Sequence, residues 1–328
     1  MADNHFDDDV RSIVVNQSVS DSVTDPLPAA QPPSGRALPA GIDLGSYEDI
    51  AVTLDPDNYS YWLAFRPRGV PCFTTGMLRE LNKSHRMIHQ LIMDKEPDDP
   101  APIKFFISCS DTPGVFSYGG DLALFKRCIR ERDRVTLLAY AYACVEAMFN
   151  NAFGFDVPVI SVGVIEGDAL GGGFEAALSI NVLIAERGVK MGLPEVLFNS
   201  FPGMGAYSFL SRKLDPAKAE RLILSGKVFL AEELHEMGVV DILAERGGGR
   251  DAAREFVKRN QRRHSVLHAL NKVRRKVHPL TLEELRAVTE IWVDTAMALD
   301  ESELRKMEIL RTAQMRAIKR SAAVNARF

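Results

Sequence analysis

Between Val157 and Leu178 the chain reads VPVISVGVIEGDALGGGFEAAL, and no other stretch constrains the fold so tightly. Val157 to Ile165 is the most apolar run in the sequence. It is strand-sized, and unbroken apolarity marks a strand covered on both faces, the condition of a parallel sheet between layers of helix. Three consecutive glycines, Gly171 to Gly173, then lead into the helical sequence FEAAL. Bare glycines leave backbone N–H groups uncovered, and a helix start adds positive partial charge at the same point. That combination suits a phosphate or a developing oxyanion. A tight turn that only glycine fits explains the glycines alone equally well. Gly171-x-Gly173-x-x-Ala176, with Glu195 downstream, also fits a dinucleotide fingerprint. However, Glu195 follows Gly192-Leu193-Pro194 and does not close a second strand, so the required βαβ unit is poorly supported.

A second glycine turn, Phe116-Ser117-Tyr118-Gly119-Gly120-Asp121, follows the apolar IKFFIS run at Ile103–Ser108. Two strand–glycine–helix junctions in one layer can each aim one N–H at a shared oxygen, as an oxyanion hole requires. Asp121 then reads as a helix N-cap. Glu175 stands in the first turn of its helix and Glu195 in GLPEVLF, both among apolar neighbours. Such surroundings disfavour the charged form and raise a carboxyl pKa toward values useful in proton transfer. Either acid alone could be structural, but twenty residues apart and beside two glycine turns they read as an acid/base pair. Other chemistries are weaker. His85 and His89 lie four apart on a helix without a third ligand, so no metal site is expected. No Walker loop or Gly-x-Ser-x-Gly motif occurs.

Alternating strands (Tyr61–Arg66, Ile103–Ser108, Val157–Ile165, Val182–Ala185) and helices (Thr74–Met93, Asp121–Phe149, Gly171–Ile180) predict an α/β core over 46–250. Residues 251–328 read as nearly all helix, and no sequence repeat is evident. Residues 1–45 carry five of the 17 prolines and few large apolar groups, the composition of a disordered leader. With 44 acidic and 40 basic residues the chain lacks the basic excess of a nucleic-acid binder. No run approaches a membrane span, and the acidic N-terminus is unlike a signal peptide. Four cysteines without a CxxC pair fit a reduced, cytoplasmic protein.

The segments FSYGGD, EGDALGGGFEAAL, MGLPEVLFNSFPGMGA and LSGKVFLAEELHEMGVVD, in that order, resemble the crotonase (enoyl-CoA hydratase/isomerase) superfamily. The resemblance covers roughly residues 100–245. It implies a spiral of βαβ units with a helical C-terminal region that builds a homotrimer or higher oligomer. It also implies backbone donors at Gly120 and Gly172 and catalytic carboxylates at Glu175 and Glu195, with no cofactor. More narrowly, FSYGGDLALF, GLPEVLFNSFPGMGAYSF and the late TEIWVDTAMALDE resemble the diffusible-signal-factor synthases. Those enzymes dehydrate 3-hydroxyacyl chains held on acyl carrier protein and hydrolyse the thioester, releasing a cis-2-unsaturated fatty acid for bacterial quorum sensing. The resemblance implies an acyl pocket at Trp292 and two partners, acyl carrier protein and a regulatory sensor kinase. An ordinary enoyl-CoA hydratase is the rival reading, and a non-catalytic regulator-binding protein of the same fold the most distant one. Between Glu255 and Glu283 eight Lys and Arg residues occur without an acid, a candidate docking face for an acidic carrier.

Overall fold

The structure, a computed structural model, describes residues 44–95 and 101–312; the expected leader lies almost wholly outside them. β1 (Ile50–Asp55) and β2 (Ser60–Phe65) pair antiparallel, Ile50 opposite Phe65. Helix α1 (Thr75–Met93) follows, its N-cap Thr74 accepting from the Met77 N–H at 3.1 Å. A phrase of long strand, short strand and helix then recurs. β3 (Phe105–Ser110) leads to β4 (Val115–Ser117), α2 (Leu122–Glu131) and α3 (Arg134–Phe153). β5 (Ile160–Ile165) leads to β6 (Asp168–Leu170) and α4 (Gly172–Leu178). β7 (Val182–Glu186) leads to β8 (Lys190–Gly192) and a 3-10 turn, Pro194–Phe198. α5 (Ala206–Lys213), α6 (Pro216–Ser225), β9 (Val228–Leu230), α7 (Ala231–Glu236) and β10 (Ile242–Ala244) complete the core. Then come α8 (Gly249–Asn260), α9 (His264–Val277) and α10 (Leu282–Met297), and 301–312 are helical.

The long strands and the three-residue β10 form one sheet in the order β1-β2-β3-β5-β7-β10, parallel beyond β2, and the other short strands a second sheet, β4-β6-β8-β9. Each turn of the spiral therefore visits both sheets. The repeat is one of backbone path, which is why no repeat is visible in the residues. β5 is buried at every position. Ile160, Val162 and Val164 pack with Ala253 and Val257 of α8, while Ile165 belongs to the cluster on the other side. Coverage of both faces is the reason this strand is apolar throughout.

Three local expectations needed correction. The helix expected over Asp121–Phe149 is two, because Arg132 turns left-handed (φ 57°) and Asp133 caps a new helix through the Thr136 N–H at 3.0 Å. The strand expected from Val157 begins at Ile160: a 3-10 turn, Gly154–Asp156, occupies the approach, and Pro158 has no N–H to offer a ladder. Four strands are expected from the sequence, and the structure adds six among the described residues: β1, mixed in polarity and half-buried, and the short β4, β6, β8, β9 and β10. Asp121 is the cap expected of it, accepting from the Ala123 and Leu124 N–H groups at 3.1 Å each.

Candidate active site

The site lies at the C-terminal ends of β4, β6 and β8, where the glycine turns meet. Gly171 has φ +54° and ψ −130°, a conformation that excludes side chains. Its carbonyl accepts from the Phe174 and Glu175 N–H groups at 2.9 and 3.0 Å. In the other turn Gly119 has φ +87°, and its carbonyl accepts from the Phe73 N–H at 2.8 Å. The turns are in contact: a Cβ on Gly119 would fall 2.5 Å from the Gly172 nitrogen, and one on Gly172 3.3 Å from the Gly120 nitrogen. Among the described residues, neither the Gly120 nor the Gly172 N–H donates to a protein acceptor. The sequence expectation that two turns converge is met in space.

Both carboxylates reach the same place. Glu175, on α4, is 2% exposed, and its Oε1 accepts from the Met204 N–H at 2.8 Å and the Ala206 N–H at 3.1 Å. Burial pushes its pKa up to about 7 even though those two donors favour the ionised form. Glu195, in the 3-10 turn after β8, lies against Gly171, where a Cβ would come within 2.7 Å of its Oε1. Its Oε2 is buried without a hydrogen-bond partner. Burial first, and the Glu175 charge second, hold the Glu195 carboxyl well above the ordinary carboxylate range. Burial and mutual repulsion together disfavour ionising both acids at once.

Gly120, Gly172, Glu175 and Glu195 line one cavity of about 740 Å³ of empty space, part of it open to solvent. Its remaining wall is apolar, with Phe125, Ile129, Met148, Trp292, Leu299 and Met307. Trp292 of α10 is 5% exposed and meets the Phe125 ring edge-on, centroids 5.1 Å apart. It also covers Gly203, where a Cβ would overlap its Cγ at 2.1 Å. Thr289, one turn earlier, donates to the Gly203 carbonyl at 2.9 Å. α10 thus holds the 200–206 loop whose N–H groups hold Glu175. Ala296, four residues past Trp292, lines the cavity.

Other sequence candidates are elsewhere. His85 is core, packed against Phe106 and Phe155, and burial with the nearby Arg86 charge pulls its pKa down to about 3. The basic run is anchored at the N-terminal ends of the strands. His264 faces Phe105 and the Lys104 carbonyl, and Arg275 bonds the Ala152 carbonyl in the last turn of α3. None of its residues lines the cavity. Sequence reasoning missed Tyr140, which lines the cavity from α3, and the donors at Met204 and Ala206. The FPGMGA motif marked the latter segment without revealing its use.

This spiral of two sheets, with paired glycine turns and paired buried acids, defines a crotonase-type protein. Residues 97–306 match the enoyl-CoA hydratase/isomerase family model, and the chain belongs to that family. Among curated relatives it is similar to the mitochondrial methylglutaconyl-CoA hydratase of Rattus norvegicus, 30% identical over 57% of this chain and 55% of that protein. A probable enoyl-CoA hydratase of Mycobacterium leprae is 30% identical over 53% of this chain and 61% of its own length. The chain thus spans about half the length of the curated relatives it matches. Similar solved folds include human mitochondrial Δ3-Δ2-enoyl-CoA isomerase (TM-score 0.67, 18% identity, 82% of this chain and 99% of that one). DspI of Pseudomonas aeruginosa is another (TM-score 0.58, 22% identity, 78% and 98%). Among the described residues no helix is long and apolar enough to cross a membrane.

Proposed function

We propose that this crotonase dehydrates a 3-hydroxyacyl thioester carried on acyl carrier protein and then hydrolyses it, releasing a free cis-2-unsaturated fatty acid. The reading rests on one observation: two buried acids meet two backbone donors at the head of an apolar cavity walled in part by Trp292 and Ala296 of α10. In dehydration the ionised carboxylate takes the α-proton, and charge builds on the thioester oxygen against the Gly120 and Gly172 N–H groups. The β-carbon–oxygen bond then breaks, and the protonated carboxyl delivers its proton to the departing hydroxide, which leaves as water. In hydrolysis a carboxylate takes a proton from water, whose oxygen attacks the same carbonyl. The C–S bond breaks, and the thiol leaves with that proton.

The quorum-sensing role, the carrier protein, the sensor kinase and a homotrimer or higher oligomer come from the narrower sequence resemblance. An exposed apolar row on α9, from Val266 through Leu270 and Val273 to Val277, is consistent with a covered face in such an oligomer. The second reading, an ordinary enoyl-CoA hydratase, is favoured by the names of the curated relatives. Purified protein given a medium-chain 3-hydroxyacyl carrier protein, followed by mass spectrometry, separates the two. Release of a free cis-2-enoic acid is expected, as it is among the lipids of an expressing host. Reversible hydration of a trans-2-enoyl-CoA with no free acid would establish the ordinary hydratase instead.

A further inference from the structure

The two oxyanion donors are aimed in the same way, but only one of them needs help from outside its own turn. In a planar trans peptide the carbonyl and the N–H point in opposite directions. Gripping the carbonyl of residue i therefore aims the N–H of residue i+1. For Gly172 the grip is local, since the first turn of α4 holds the Gly171 carbonyl through Phe174 and Glu175. For Gly120 no helix does this. The Gly119 carbonyl is held by the Phe73 N–H at 2.8 Å, from a distant loop that meets this turn through the Phe73–Gly120 parallel bridge and through the Tyr118 N–H, which donates to the Pro71 carbonyl at 2.8 Å. The next peptide is held differently: the Asp121 N–H donates to Tyr140 Oη at 3.1 Å, and Tyr140 Oη donates to the Phe73 carbonyl at 2.6 Å.

We infer that Tyr140 is a positioning residue for the oxyanion site: its hydroxyl ties Phe73 to Asp121 and so fixes both peptide planes that flank Gly120. The inference rests on the thioester reading above. Tyr140 is 3% exposed, lies edge-on to Phe125 at 5.3 Å, and uses its oxygen on one backbone donor and one backbone acceptor. Burial keeps the phenol protonated, far above its ordinary range, so it remains a donor at every working pH. Without it, the backbone bonds from the Phe73 N–H to the Gly119 carbonyl and from the Tyr118 N–H to the Pro71 carbonyl would remain, but the Gly120–Asp121 peptide would lose its anchor and the Gly120 N–H would be held less firmly. Losing an oxyanion donor outright lowers kcat by about 10²–10³. A loosened donor should lose part of that, roughly tenfold or more, with KM little changed.

The test is Tyr140→Phe, read by the infrared carbonyl stretch of a bound saturated acyl thioester that has no hydroxyl to eliminate. In the unaltered protein the stretch should move to lower frequency as the two donors polarise the carbonyl. In Tyr140→Phe that shift should shrink by half or more while the Kd for the thioester changes less than threefold. Replacing Tyr140 by 3-fluorotyrosine, which keeps the ring and the packing, should alter the shift in a graded way and covers the case in which the phenylalanine variant does not fold. A full shift in both variants overturns the inference and leaves Tyr140 a packing residue. If the unaltered protein shows no shift with any acyl thioester, the thioester reading fails and the inference falls with it.

Discussion

At the residue scale the site is a problem of two buried charges, and that gives its acids a double signature. Glu175→Gln and Glu195→Gln should each lower turnover by about two to four orders of magnitude while leaving the fold intact, since a general acid or base contributes on that scale. Purified variants with normal melting curves and near-normal rates would remove both from the mechanism. The same variants should be more stable than the parent at neutral pH. A carboxyl whose pKa rises from 4.5 to about 7 on folding binds more protons folded than unfolded between those values. Its contribution is therefore intact below about pH 4.5 and is lost as pH rises through about 7. At pH 8 Glu175→Gln should regain up to about 3 kcal/mol, because its amide oxygen still accepts from Met204 and Ala206. At pH 4 it should gain almost nothing. Thermal melts at both values check the sign. Activity should fall below about pH 7 as Glu175 takes up its proton. A flat kcat profile across that range would mean that the pair does not exchange protons in the rate-limiting step.

At the scale of elements, α10 connects the apolar cavity to the loop that holds Glu175. One face of it supplies Trp292 and Ala296 to the cavity and Thr289 to the Gly203 carbonyl. Trp292→Ala should therefore lengthen the accepted acyl chain and lower stability by about 3–5 kcal/mol, the usual penalty for emptying a large aromatic site. Competition assays with thioesters of graded length would show it. An unchanged length profile with a lower melting temperature would return Trp292 to plain core packing. Elements were also where sequence periodicity misled. The run from Asp121 to Phe149 is apolar enough to read as one helix, yet Asp133, a capping residue, marks its break. A single polar side chain that binds its own backbone decides that boundary, and a hydrophobic pattern does not register it.

For the whole molecule, the placement of charge matters more than its amount. The basic run of 258–276 suggested a docking face for an acidic carrier, but the fold sets it at the opposite ends of the strands from the cavity. Arg262→Glu with Arg263→Glu should consequently leave KM for carrier-bound substrate within about twofold of the parent. A rise confined to the carrier-bound substrate, and shrinking with salt, would show that the carrier docks there after all.

Much of this protein was determined locally. The apolar β5, the two glycine turns, the Asp121 cap and the acids in apolar surroundings are each written in a few consecutive residues. Their physics (alternation, positive φ, helix capping, desolvation) is short-ranged. Glu175 and Glu195 were legible for that reason. The tertiary structure decided what depends on residues far apart in sequence. It brought Gly120 against Gly172, placed the Met204 and Ala206 donors on Glu175, and set Tyr140 between Phe73 and Asp121. It also folded the last helices so that Trp292 covers Gly203 and no residue of the basic run lines the cavity. Contacts across 19 to 160 residues carry no local pattern, because they follow from how the spiral stacks its turns and not from any preference of the residues themselves.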